Sequence, residues 1–292
     1  MFETFTEFDL IRDNVRLHGR AGGQGEPLLL LHGHPQSHVM WHRVAPELAK
    51  KFFIVMMDLR GYGDSGRPQA DETHSAYSKR EMALDAMAVM KHQGFDRFQV
   101  LAHDRGARVA HRLAADFPQG VERLMLLDIA PTLAMYDNTT QAFAKAYWHW
   151  FFLIQPPPLP EALVDSDPVR FVRSMMGKRH AGLTAFAPEA LAEYERCAQI
   201  AGSGHSIAED YRASATIDLD HDRADVLAGH KISQPLRVLW GEQGIVGQCF
   251  DVLALWRERA QQASGQSVPC GHYIAEELPA VLLDEAFQFF RS

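Results

Sequence analysis

The chain has 292 residues, 47% of them hydrophobic and 23% charged, which is enough for one large core and a smaller accessory layer. Its formal net charge of −8 disfavours a nucleic-acid partner, and no run is long and apolar enough to span a membrane. Residues 1–7 lack the basic start and apolar core of a signal peptide, and three widely spaced cysteines favour a reducing compartment, so we expect a cytoplasmic protein.

The first part of the chain predicts strands. Residues 4–10 and 15–18 are typical of antiparallel strands, and a Gly-rich turn at 21–25 leads into the apolar run 27–31, which indicates a buried central strand. Gly and Pro then set a tight loop, whose backbone N–H groups we expect to form half of an oxyanion hole at His34.

Four histidines in and after this loop raise the question of a metal site. They are His32, His34, His38 and His42. No carboxylate or cysteine close in sequence completes a ligand set, and the H-E-x-x-H order is absent. We therefore expect no metal.

The middle of the chain alternates strands and helices. Residues 52–57 predict a strand, and Ser78 with Glu81 has the capping-box spacing of a helix that runs to about His92. A later strand at 123–128 ends on a carboxylate. This alternation predicts an α/β fold with a mostly parallel, doubly wound sheet, whose ligands lie at the carboxyl ends of the strands.

At residues 100–108 an apolar run meets small residues and then a helix-forming stretch. Ala102, Gly106 and Ala107 leave room for a sharp strand-to-helix turn that lifts Asp104 out of the sheet, as in a nucleophile elbow. An aspartate is already ionised near neutral pH and is favoured by the helix N-terminus behind it, which suits attack on a saturated carbon.

Two cations accompany this aspartate. Arg105 follows it directly, and Arg108 lies one helical turn later on the same face, so together they predict an anionic substrate. The alternative is that both arginines neutralise Asp104 or face solvent.

A long helical stretch interrupts the alternation. From 131 to 222 the chain is rich in aromatic residues with helical patterning, and the sheet resumes only at 236–240. We expect a helical cap at 131–222 inserted into a core formed by 1–130 and 223–292. A cap over the carboxyl edge of the sheet would exclude water from the chemistry.

The C-terminal part predicts a weaker strand near 266–268 and a final amphipathic helix at 278–290. His272 follows Gly271 between them.

This order of parts resembles the α/β-hydrolase superfamily over nearly the whole chain, in the branch with an aspartate nucleophile. Haloalkane dehalogenases and epoxide hydrolases typically carry Trp after the nucleophile, whereas Arg105 with Arg108 resembles the haloacetate (fluoroacetate) dehalogenases. The resemblance implies that both arginines bind the substrate carboxylate, and that His149, Trp150 and Tyr211 hold the leaving halide. The alternative for these three is an aromatic helix face packed as core.

The resemblance also implies a base and an orienting acid, for which we select His272 and Asp128. Some relatives carry the acid after the strand that follows the cap, but Gly244 stands there in this chain, and Glu242 is the remaining alternative. His103 is a competing base, although a neighbour of the nucleophile at an elbow points elsewhere.

The implied reaction converts a haloacetate (fluoroacetate or chloroacetate) into glycolate and halide through an aspartyl ester. Backbone N–H groups of His34 and Arg105 would form the oxyanion hole, and no cofactor is required. An epoxide hydrolase that uses Tyr147 and Tyr211 as ring-opening acids is the alternative, and a non-catalytic binding protein is a third possibility. The expected partner is a small haloacid, and the apolar Pro-rich surface suggests a homodimer.

Overall fold

The computed structural model describes residues 1–290. One sheet contains eight strands in the order β1-β2-β4-β3-β5-β6-β7-β8. The strands are β1 Thr6–Arg12, β2 Val15–Gly23, β3 Glu26–Leu31, β4 Phe52–Met57, β5 Phe98–His103, β6 Val121–Leu127, β7 Leu236–Gly241 and β8 Ala263–Val268. β2 pairs antiparallel with β1 and β4, and the remaining neighbours are parallel. The predicted α/β class is confirmed.

Helices flank this sheet and fill the interval between β6 and β7. They are α1 Ala45–Leu48, α2 Lys79–His92, α3 Asp104–Asp116, α4 Thr132–Asp137, α5 Gln141–Ala146, α6 Trp148–Leu153, α7 Leu159–Ser166, α8 Pro168–Gly177, α9 Pro188–Ala198, α10 Ser203–Ala215, α11 Ile217–Leu227, α12 Ile245–Cys249, α13 Val252–Arg259, α14 Ile274–Glu277 and α15 Pro279–Phe290. Within residues 1–290, none of them combines the length and the apolar character needed to cross a membrane.

The apolar run in β3 explains why this strand lies in the middle of the sheet. Leu28, Leu29, Leu30 and Leu31 are all fully buried. Because successive side chains of a strand point to opposite faces, Leu29 and Leu31 join one hydrophobic cluster with α2 and α3, whereas Leu28 and Leu30 join a second with α1 and α15. The sheet therefore has helices on both faces.

Local signals at the start of α2 act as the sequence predicts. The Ser78 hydroxyl accepts a hydrogen bond of 3.1 Å from the Glu81 backbone N–H, and the helix ends at His92. The predicted turn at 21–25 is shorter than expected, because β2 continues to Gly23, whose backbone pairs with Phe53 of β4.

The helical segment, α4 to α11, separates β6 from β7. No strand occurs between these two strands in the part of the chain that the structure describes. Helix α10 packs against the core beside Ser75–Tyr77, where the Tyr77 hydroxyl lies 2.9 Å from Ser206 Oγ. The division into core and cap at 130 and 222 stays a prediction, and α11 continues past the second boundary.

Candidate active site

The chain turns sharply between β5 and α3. Asp104 has a φ of 46°, in the left-handed region that non-glycine residues rarely adopt, so its backbone is strained. A Cβ at Gly33 would lie 2.5 Å from Asp104 Cβ, and a Cβ at Gly106 would lie 2.4 Å from the His32 carbonyl oxygen. Only glycine fits at either position. The close approach of the Gly33 and Gly106 backbones keeps the turn tight and holds Asp104 at its apex.

Three side chains from distant parts of the sequence meet at this apex. His272 Nδ1 lies 2.6 Å from Asp128 Oδ2, and His272 Nε2 lies 4.0 Å from Asp104 Oδ2. Asp128 also accepts a 2.9 Å hydrogen bond from the Gly241 backbone N–H, which fixes its carboxylate. With the Nδ1 proton donated to Asp128, His272 presents the lone pair of Nε2 towards Asp104.

Asp104 is buried and ionised. Burial alone would raise its pKa, but the charges of His272, Arg108 and Arg105 outweigh burial and hold the pKa below its usual range. The backbone N–H of His34 donates a 3.0 Å hydrogen bond to Asp104 Oδ1. The backbone N–H of Arg105 lies in the first turn of α3, where it has no acceptor within the helix. Both N–H groups belong to the predicted oxyanion hole.

The alternative base, His103, is occupied elsewhere. Its Nε2 lies 2.9 Å from the His272 carbonyl oxygen, to which it can only donate. Burial, together with the neighbouring His272, lowers the pKa of His103 to about 3, so its ring is neutral near pH 7.

The alternative acid, Glu242, is exposed, and its Oε1 accepts a 3.3 Å hydrogen bond from Ser267. A Cβ added at Gly244, the position where some relatives carry the acid, would lie 3.0 Å from Asp128 Oδ1. An acid after β6 and an acid after β7 would therefore place their carboxylates at nearly the same position beside His272.

Arg105 is fully buried and pairs with a carboxylate that the sequence analysis did not identify. Its Nε and Nη2 lie 2.8 Å from the two carboxylate oxygens of Asp210 on α10, and Nη2 also donates to Ser214. The guanidinium carbon lies 4.1 Å from the centre of the Tyr211 ring. Nη1 is buried without a partner. Most of the Arg105 charge is thus neutralised within the protein, and one N–H group of the side chain remains for a ligand.

Asp210 has other partners besides Arg105. Tyr62 donates a 2.6 Å hydrogen bond to its Oδ2, and the Lys79 ammonium pairs with its Oδ1. Lys79 also lies 3.4 Å from Asp218. This buried network of two cations and two carboxylates has no signal in the sequence, because 105 residues separate Arg105 from Asp210.

Arg108 differs from Arg105 because it forms no ion pair with a carboxylate within residues 1–290. Its Nη1 donates to the Ala130 carbonyl at 3.2 Å and to the Thr132 hydroxyl at 2.9 Å, while its Nε is buried without a partner. The guanidinium carbon lies 4.7 Å from the centre of a Trp150 ring. Burial and the nearby Arg105 lower the pKa of Arg108, yet an arginine stays protonated in proteins. Arg108 therefore presents a buried positive charge that has no direct ion pair, with the Asp104 carboxylate nearby and a free Nε.

The three residues predicted to hold a halide also meet here. His149 and Trp150 on α6 and Tyr211 on α10 are buried, with ring centres 5.8 Å apart for His149 and Tyr211 and 6.4 Å for Trp150 and Tyr211. His149 Nδ1 and Trp150 Nε1 have no hydrogen-bond partner. Buried polar groups are nearly always paired, so these atoms indicate a place for an anion or another acceptor.

Folding brings a carboxylate, Asp58, to one of the early histidines, His38, although no carboxylate lies close to these histidines in the sequence. Asp58 Oδ1 accepts hydrogen bonds from the His38 backbone N–H at 2.7 Å and from Nδ1 at 2.9 Å, and Oδ2 accepts one from the Asp64 N–H at 2.9 Å. His18, His38 and Asp58 offer ligand atoms within 4.8 Å of one another. Both Asp58 oxygens are already used within the protein, which indicates a structural role for the cluster.

Comparison with known proteins identifies the family. A family model described as the α/β hydrolase fold matches residues 26–279. The chain belongs to the α/β-hydrolase family. It is an enzyme of this hydrolase family, and its mostly parallel eight-stranded sheet is that of an α/β hydrolase.

Two relatives of this α/β hydrolase are named for different activities. It is 39% identical to a fluoroacetate dehalogenase from Burkholderia sp., over 96% of this chain and 91% of the relative. It is 33% identical to a soluble epoxide hydrolase from Corynebacterium sp. (strain C12), over 99% of both chains. An α/β hydrolase structure from Nostoc sp. PCC 7120 superimposes with a TM-score of 0.95 at 52% identity, covering 99% of both chains.

Proposed function

We propose that the protein is a haloacetate dehalogenase, which converts fluoroacetate or chloroacetate into glycolate and halide through an ester of Asp104. The observation that carries the proposal is that Arg108, buried close to an ionised nucleophile, has no direct ion pair and keeps an Nε without a partner. A substrate carboxylate supplies the acceptor that this N–H group lacks. The 39% identical fluoroacetate dehalogenase supports the same activity.

In the first step the substrate carboxylate lies between Arg105 Nη1 and Arg108 Nε, the two guanidinium N–H groups without partners. This contact directs the halogen-bearing carbon towards Asp104, and orientation of this kind supplies much of the rate of a displacement. An Asp104 oxygen forms a bond to the carbon while the carbon–halogen bond breaks. The halide takes the bonding electrons and leaves.

The departing halide meets the donors of His149, Trp150 and Tyr211. Burial lowers the pKa of His149 and raises the pKa of Tyr211, so both are neutral and each keeps one proton to donate. Fluoride is small and strongly hydrated, and it gains most from such donors. We further propose that residues 131–222 act as a cap that keeps water away from this step.

In the second step water cleaves the ester. His272 Nε2 removes a proton from water, while Asp128 holds the ring through Nδ1. The hydroxyl attacks the Asp104 carboxyl carbon, and the backbone N–H groups of His34 and Arg105 stabilise the oxyanion that forms. Collapse of this intermediate releases glycolate and restores the Asp104 carboxylate. The sum is one water consumed and one halide and one proton released.

Epoxide hydrolysis is a second candidate because Tyr147 and Tyr211 are both buried and keep their phenol protons, and a phenol O–H can donate to an epoxide oxygen. The 33% identical epoxide hydrolase supports this alternative. A neutral epoxide gives the unpaired Arg105 Nη1 and Arg108 Nε no anionic acceptor, however, so dehalogenation fits the site better.

Parallel incubations with fluoroacetate, chloroacetate and styrene oxide test the proposal, with Asp104→Asn as the matched inactive control. We expect release of fluoride, chloride and glycolate by the wild type and none by Asp104→Asn. In heavy-oxygen water, label should enter the Asp104 carboxylate, because water oxygen reaches it only through ester hydrolysis. Formation of diol without any halide would replace the proposal by the epoxide hydrolase.

A further inference from the structure

A pocket on the outer side of His272 has an unusual charge for this protein. The cavity has a volume of about 540 Å³, and we call it the outer pocket. Its permanently charged lining residues are Lys145, Lys178 and Arg179, its lining histidines are His149, His180 and His272, and no carboxylate is among its lining residues. The chain as a whole carries a formal charge of −8, so this wall is a local concentration of positive charge.

Arg179 is the most enclosed of the cations here that carry a permanent charge. It follows α8, its backbone N–H donates to the Met176 carbonyl at 3.2 Å, and its guanidinium carbon lies 4.7 Å from the centre of the Tyr147 ring. It is partly buried, and no ion pair joins it to a carboxylate in the range 1–290. The Asp104 and Asp128 carboxylates act on Arg179 without a direct ion pair, so its guanidinium remains free to bind an anion in the pocket.

The same cation acts on the reaction centre. After burial, the charge of Arg179 is the next largest cause of the lowered pKa of His149, and the charge of Asp104 in turn favours the protonated form of Arg179. Arg179 lines the same cavity as His149 and His272, which border the reaction centre, so a group attached to the reacting carbon can extend towards Arg179.

The size of the outer pocket exceeds what a haloacetate needs. Ligand pockets of roughly 300–1,000 Å³ accommodate drug-sized molecules, whereas a haloacetate has only a few non-hydrogen atoms. In the proposed binding mode, the carboxylate and the halogen both point to the inner donors. A further substituent on the same carbon would point past His149 and His272, which line the outer pocket as well as the reaction centre.

We infer that the preferred substrate is a 2-halo dicarboxylate, whose second carboxylate binds Arg179. The inference rests on the proposed dehalogenation and names the substrate class of the same site. An Asp104 oxygen bonds to the halogen-bearing carbon as the halide leaves, and water then cleaves the ester. The products are a 2-hydroxy dicarboxylate, one halide and one proton. The inner arginines bind the carboxylate next to the reacting carbon, and Arg179 binds the distal one.

Three substrates separate charge from size in the test. They are 2-chlorosuccinate, its half-amide at the distal carboxyl group, and chloroacetate. The half-amide has the shape of the dicarboxylate without its second charge. We expect the wild type to show a kcat/KM about 10- to 100-fold higher for 2-chlorosuccinate than for the half-amide, as for a charge-assisted hydrogen bond. In Arg179→Gln this ratio should fall to within about threefold of unity.

Lys178→Gln is the matched control variant, because it removes the same charge from an exposed side chain of the same pocket. If Arg179 binds the carboxylate directly, the ratio falls far more in Arg179→Gln than in Lys178→Gln. Equal falls in the two variants would mean that the pocket only steers anions by its overall field, and would overturn the inference. An unchanged ratio in Arg179→Gln would overturn it as well.

Failure of the inference and failure of the proposed function have different signatures. Chloride release from chloroacetate but not from 2-chlorosuccinate would refute the dicarboxylate and leave the dehalogenase intact. Release from neither would refute the dehalogenase. Calorimetric binding of succinate and succinamate then tests the anion site alone, since it needs no turnover. Tighter binding of succinate, lost in Arg179→Gln, supports the second carboxylate site, and equal binding of both ligands by the wild type refutes it.

Discussion

Replacement of Arg108 by leucine tests the charge on which the proposed function depends. Nη1 and Nη2 already donate within the protein, to Ala130, Thr132 and the Met135 sulfur, so a substrate gains one charge-assisted hydrogen bond from Nε. Such a bond contributes about 1.5–3 kcal/mol. Two charges about 4 Å apart attract by about 4 kcal/mol at an effective dielectric constant near 20. We therefore expect transition-state binding to weaken by about 2–4 kcal/mol.

This loss corresponds to a kcat/KM about 30- to 900-fold lower for chloroacetate. The assay is the initial rate of chloride release, measured in parallel with chloroacetamide, which has the same reacting carbon and no charge. The kcat/KM of Arg108→Leu for chloroacetamide should be close to that of the wild type. The kcat/KM of Arg108→Lys for chloroacetate should lie between those of the wild type and Arg108→Leu, because an ammonium group keeps the charge but cannot reproduce the planar guanidinium. Equal losses on acid and amide, in a variant whose thermal unfolding is unchanged, would refute the role of Arg108 in carboxylate binding. Arg105 is a poorer test, because its removal also leaves Asp210 without its main partner.

His272→Asn should accumulate the Asp104 ester, because attack by a carboxylate needs no proton removal. Peptide mass spectrometry after treatment with chloroacetate should find one carboxymethyl group on Asp104, and its absence would contradict the covalent step. Asp210→Asn should lower the free energy of unfolding by about 3–5 kcal/mol at pH 7 in urea titrations, since two buried cations lose their carboxylate. Burial raises the pKa of Asp210, but Arg105 and Lys79 lower it by more, so the net pKa in the folded protein is below its usual value. The stability difference between wild type and Asp210→Asn is therefore complete above the unfolded-state pKa of about 3.9, and it is lost as the pH falls through the folded-state pKa. A difference that stays constant down to pH 2 would contradict this linkage. Tyr211→Phe should lower the rate of fluoride release from fluoroacetate more than the rate of chloride release from chloroacetate. Equal losses of rate would mean that Tyr211 only packs in this region.

Features that depend on neighbours in sequence could be predicted. The elbow follows from small residues around Asp104, and the start of α2 follows from the spacing of Ser78 and Glu81. Strands β3 and β4 follow from uninterrupted apolar runs, which only a sheet covered on both faces buries completely. The resemblance to a known family supplied the late His272 and the choice of Asp128.

Features that depend on distant contacts could not be predicted. Asp210 pairs with Arg105 only because folding brings α10 to the start of α3. Asp58 meets His38 because Asp58 directly follows β4 and His38 lies in the segment after β3, its parallel neighbour in the sheet. No local pattern reveals Arg179 as a cation of the site, because its significance lies in the cavity that folding creates between Arg179 and the distant His272. The expected homodimer stays a prediction, as does the boundary of the cap.

The short distance between Gly244 and Asp128 limits how the orienting acid can move from one strand to the other during evolution. A Cβ at position 244 would lie 3.0 Å from Asp128 Oδ1, so an acid added there would crowd the one already present. Moving the acid from β6 to β7 therefore needs two substitutions, and each single-step intermediate carries either two crowded carboxylates or none.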